Sequence, residues 1–116
     1  MSKEISESDD YVWTTSTGMY LWILEYLQER IPDRELWDFV KGEGFVAVDK
    51  FFVSDLPGPY RHRVLEVLAR EVPEAYVSRM LTTPEKRARW RAMVGQLEIL
   101  AMMASEVQRE LAEERP

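Results

Sequence analysis

The stretch FVAVDKFFVSDL, Phe45 to Leu56, decides the fold class. Read as a strand, its apolar and polar residues fail to alternate. Read as a helix at about 100° per residue, it places Phe45, Val48, Phe52 and Leu56 on one side. Val46 and Val53 lie beside them, and Ala47, Lys50 and Ser54 fall opposite. Asp49 then sits near the middle of the apolar arc, where an unpaired carboxylate is costly. Two readings accommodate it. In one, GFVAV is extended and Asp49 caps a short helix KFFVSDL through its carboxylate. In the other, the helix starts earlier and Asp49 pairs with Arg61 or Arg63. Both readings are structural.

The flanking segments read as helices. TTSTG offers several capping oxygens before a helix from about Ser16 to Ile31, which Pro32 stops. Its apolar residues, from Met19 to Leu27, cover most of the circumference, so this helix is central to the domain. PDRELWDFVKGEG gives a second helix, with Asp33 as its cap. Leu36, Trp37, Phe39 and Val40 form its buried face, and Gly42 is its terminating glycine. After LPGP, Pro59 opens a helix to about Val72, and Pro73 opens a shorter one through Leu81. Thr83, followed by PEK, caps a last helix of about thirty residues, roughly 45 Å long. Trp90, Val94, Leu97, Ala101, Ala104 and Leu111 form its apolar series. The expected fold is therefore all-α, a bundle of five or six helices with a long C-terminal helix. Residues 1–10 read as an acidic disordered tail, and residues 11–116 as a single helical domain.

Composition narrows the function. The 116 residues are 46% hydrophobic, enough for a core, and include no cysteine, so disulfides and thiol nucleophiles are excluded. There is one histidine, His62, and no glycine-rich phosphate loop or nucleophile elbow. No catalytic, metal or cofactor site is expected. The longest greasy run, GMYLWILEYL, is too short to span a bilayer, which takes about 20 residues. A cytoplasmic protein with no membrane contact is expected.

The net charge of −6 is unevenly spread. Residues 1–58 hold twelve acids and five bases, a net −7; residues 59–116 hold nine acids and ten bases, a net +1. An acidic half argues against nucleic acid as a ligand and for a basic protein partner. Its expected contacts are Asp33, Glu35, Asp38, Glu43 and Asp55, with Trp37 or Tyr60 as the aromatic anchor. A small, acidic, helical and cysteine-free profile is similar in general character to several small bacterial inhibitor and immunity proteins, antitoxins among them; no motif carries the likeness. The leading expectation is a binding module, not an enzyme, that neutralises a partner such as a toxin nuclease. The alternative is a homodimeric regulatory or scaffold domain joined through the last helix, where Ile99, Met102 and Met103 extend the apolar surface. A monomer is favoured over the dimer.

Overall fold

A computed structural model describes residues 2–44, 47 and 49–114. Among these, three short strands accompany six helices, so the fold is α+β and not all-α. Strand β1 (Lys3–Ser6) and strand β2 (Val12–Thr15) form an antiparallel hairpin in the register Lys3–Thr15, Glu4–Thr14, Ile5–Trp13 and Ser6–Val12. Its turn is closed by Glu7 N–H donating to Tyr11 O at 2.9 Å. Strand β3 (Lys50–Phe52) pairs parallel to β1, giving the order β2-β1-β3. Residues 3–6, expected within a disordered tail, are thus the central strand.

Period-two geometry makes the sheet one-sided. Lys3, Ile5 and Glu7 point inward, and the in-register row Trp13–Ile5–Phe51 is buried across all three strands. The Trp13 indole N–H donates to Gln96 O at 2.9 Å, tying the sheet to the last helix. The Phe51 ring meets Trp37 at 6.2 Å between centroids.

Neither helical reading of Asp49 holds. KFF is strand, and only Val53–Asp55 winds into a single 3-10 turn, flanked by Phe52, which supplies no side-chain cap. The backbone of Asp49 carries its role: its carbonyl accepts Glu4 N–H at 2.8 Å, extending the β1–β3 pairing. Arg63 reaches Glu71 at 3.8 Å instead. The wheel positions given to Phe45, Val46 and Val48 lie outside the described residues.

Helix α1 (Thr17–Arg30) is capped by Ser16, whose Oγ accepts Met19 N–H at 3.3 Å. It buries Met19, Tyr20, Ile23, Leu24, Tyr26 and Leu27, an arc wide enough to meet sheet and helices together. Helix α2 (Arg34–Gly42) is capped by Asp33. The terminating glycine is Gly44, at φ 79°, a left-handed conformation that side chains disfavour, and not Gly42. Helices α3 (Gly58–Arg70) and α4 (Val72–Met80) meet at Glu71. There Glu71 accepts from Arg30 Nε at 2.6 Å and from the Tyr26 hydroxyl at 3.0 Å. Burial works to raise the Glu71 carboxyl, but these donors outweigh it and hold the group below its ordinary range.

The expected thirty-residue helix is two. Helix α5 (Pro84–Arg89), capped by Thr83, ends at Trp90, whose φ of −105° and ψ of 20° interrupt the run before α6 (Arg91–Glu113). Trp90, expected in the apolar series, is 40% exposed at that junction. Helix α6 buries Leu97, Leu100, Ala104 and Val107, chiefly against α3. None of the six helices is long and apolar enough to cross a membrane, among the described residues.

Candidate functional site

Helix α2 presents the most ordered arrangement of acids. Its strong cap fixes where it begins: Asp33 Oδ1 accepts Leu36 N–H at 3.0 Å. Leu36, Trp37 and Val40 then face the core. At 3.6 residues per turn, Glu35 and Asp38 fall opposite this face, Phe39 falls on its flank, and Glu43 follows at the C-cap, one residue past the helix. All four are exposed, and Phe39, expected on the buried face, is 50% exposed. A half-exposed ring therefore lies on the solvent flank of α2 between Glu35 and Glu43. Glu35 also sits in the first turn, where negative charge suits the helix dipole.

The other expected contacts serve the fold. Trp37 is 4% exposed, and its indole N–H donates to Ile31 O at 2.8 Å, so it is a core residue. Tyr60 is half-buried and donates its hydroxyl to Asp33 Oδ2 at 3.2 Å. That hydrogen bond, the charge of Asp33, burial and the charge of Glu35 all raise its phenol. Asp33 thus holds the α2 backbone with one oxygen and α3 with the other. Asp33→Ala should lower stability by about 1–2 kcal/mol through loss of the cap, without slowing association with a partner; urea midpoints set against association rates check this. Asp55 lies exposed on the 3-10 turn.

The groove beside α2 is mixed in charge. It holds about 400 Å³ and is lined by Gln28, Pro32, Asp33, Arg34, Trp37, Asp38 and Lys41. Arg34 approaches Asp38 at 3.9 Å, and both are largely solvated, so this pair contributes little. Asp38 thus belongs to this mixed groove, and the negative charge of α2 without an ion-paired cation among the described residues is that of Glu35 and Glu43.

Two features escaped sequence reasoning. The hairpin turn brings Asp9 and Asp10 to Glu110 and Glu114 around a cleft of about 280 Å³ that Arg61 also lines. These acids are a hundred residues apart, and no local signal joins them. The second is Glu7, which is 0% exposed with both carboxylate oxygens lacking a hydrogen-bond partner. Burial pushes its carboxyl up to about 8. An inward position two residues beyond Ile5 on β1 would have flagged it, had the strand been visible.

On α6, Ile99 and Met102 are exposed, while Met103 packs partly against the core. His62 is half-buried on α3. Among the described residues, no three histidine or carboxylate side chains are grouped to hold a metal ion. No family model, curated protein or solved structure matches this chain.

Proposed function

We propose that the domain is a protein-binding module whose acidic α2 face docks a basic protein, in the manner of an inhibitor or immunity protein that neutralises its target. One observation carries the reading: Glu35 and Glu43 stand exposed one turn before and one turn after the half-exposed Phe39 on a firmly capped helix, with Asp38 exposed nearby. Carboxylates around an exposed ring match the common plan of a binding surface, an aromatic anchor with charges that steer and orient the partner. The rigid cap means that little order has to be gained on binding. Phe39 takes the anchor role that the sequence suggested for Trp37 or Tyr60.

Affinity capture from the native cell, followed by kinetics on the captured protein, tests this. The captured partner should be basic. Combined reversal by Glu35→Lys, Asp38→Lys and Glu43→Lys should slow association at least tenfold and flatten its salt dependence. Phe39→Ala should speed dissociation by a similar factor. A partner held equally well by both variants defeats the reading.

The exposure of Ile99 and Met102 on α6 favours a second reading, a homodimer joined helix to helix. Sedimentation equilibrium distinguishes it: a two-chain mass that falls to one chain in Met102→Glu supports the dimer, and one chain throughout removes it.

A further inference from the structure

A second surface, of opposite charge, lies where α4, α5 and α6 meet. A groove of about 370 Å³ is lined there by Tyr76, Met80, Leu81, Glu85, Lys86, Arg89 and Trp90. Leu81 is buried and forms its floor, while Met80 and Trp90 are 46% and 40% exposed. Tyr76 is fixed edge-on against Trp22, with 5.1 Å between ring centroids, so this wall is rigid. The Arg89 guanidinium lies 5.6 Å from the centroid of the Trp90 ring.

Charge identifies the occupant. Elsewhere most cations have acidic partners: Arg30, Arg34, Lys50, Arg63, Arg70, Arg79 and Arg109 form ion pairs, while Lys3, Lys41 and Arg61 lie apart from one another and form none among the described residues. Lys86, Arg87, Arg89 and Arg91 form none among the described residues. Arg87 instead donates to Leu81 O at 3.2 Å, which holds α5 against the end of α4. Within 84–91 these four bases face a single acid, Glu85. On a chain of net charge −6, this is a concentrated basic island around an apolar slot.

We infer that this groove binds an acidic peptide segment of a partner protein, one that seats an aliphatic or aromatic side chain between Met80 and Trp90 while its carboxylates meet Lys86 and Arg89. Met and Trp are side chains enriched at the centre of binding surfaces, and Met adapts to the shape of what it meets. Arg89, already beside the Trp90 ring, offers its planar fork to a carboxylate. The apolar floor and the shortness of the basic track suit a peptide better than a phosphodiester strand, and the peptide's carboxylates would meet Lys86 and Arg89 on the side away from Glu85. This surface is independent of α2, and the two select ligands of opposite charge.

A displayed library of random twelve-residue peptides, selected on the intact domain, tests the inference. Recovered sequences should include a class rich in Asp and Glu with one or two Leu, Phe or Trp. Peptides of that class should bind at least tenfold more weakly to the Lys86→Glu/Arg89→Glu variant and to Trp90→Ala. They should bind unchanged to Phe39→Ala, which separates this surface from the α2 face. Raising salt from about 50 to 300 mM should weaken them by about tenfold. The altered side chains are exposed, and circular dichroism with thermal melting verifies the fold of each variant; Met80→Ala serves if Trp90→Ala melts early. Absence of an acidic class, or acidic peptides that bind all groove variants as tightly as wild type, overturns the inference. So does a fifteen-residue oligothymidylate that binds as tightly as the peptides and is lost in the same charge-reversal variant.

Discussion

Glu7→Gln should stabilise the domain by about 2–4 kcal/mol at pH 8.5 and remove most of its pH dependence in the neutral range. The folded-state carboxyl is raised from 4.5 to about 8, because burial without a hydrogen-bond partner disfavours its charge. Below pH 4.5 the group is protonated in both folded and unfolded chains and costs no ionisation energy. As pH rises from 4.5 to 8, the unfolded chain releases the proton and the folded chain keeps it, so stability falls by about 1.4 kcal/mol per unit. Above about 8 the penalty is complete. Glutamine keeps the shape and cannot ionise. Glu29 and Glu71 act in the opposite direction and in a different window. Arg79 lowers the first; for the second, burial opposes the shift but Arg30 and Tyr26 prevail. Their contributions are lost as pH falls through values below 4.5. Urea unfolding of both proteins at pH 5, 6.5, 8 and 8.5 measures the difference. Parallel curves across that range would show that Glu7 finds a partner or water in solution.

Removing residues 1–6 should abolish the fold. A tail would be dispensable, but a central strand is not. Without β1, strands β2 and β3 lose their shared partner, and the buried row Trp13–Ile5–Phe51 loses its middle. The empty site of Ile5 alone is worth about 2–5 kcal/mol, and the backbone groups of two strands lose their ladder. Against a total stability of about 5–15 kcal/mol, that leaves an expanded, helical but loosely packed chain. Near-ultraviolet circular dichroism and amide dispersion in a proton–nitrogen spectrum should collapse while far-ultraviolet helicity partly survives. Ile5→Ala in the full chain should retain the fold and melt earlier. A truncated chain with sharp tertiary signals and an unchanged melting temperature contradicts the role of β1.

How legible the molecule was depends on the kind of signal each element carries. The caps at Asp33 and Thr83 were readable because a cap is local: one oxygen, one backbone N–H, three residues apart. So was the breadth of the apolar arc on α1. The strands were not. KEIS contains one apolar residue and three of low strand propensity, and four residues give too little alternation to register. KFF was submerged in a continuous apolar run, where a short buried strand and a helical turn look alike. On α2, Trp37 and Phe39 flank the buried arc on opposite sides, and only tertiary packing decides which turns in. The acidic half was visible as a sum, yet its members separate into a cap at Asp33, a solvated pair at Asp38 and an open face at Glu35 and Glu43.

The central position of β1 also sets the order in which the molecule can be completed during synthesis. Strand β1 is made before the elements it sits between, and its parallel neighbour, Phe51 opposite Ile5, emerges only after α1 and α2. The indole of Trp13 waits longer still, for Gln96, 83 residues downstream. Until β3 emerges the β1–β2 hairpin stands alone, which is marginal by itself, and Trp13 lacks its α6 partner until Gln96 is made. The sheet can therefore close only after about fifty residues are made, and its inner face is covered last, by α6, so exposed apolar surface persists through most of synthesis.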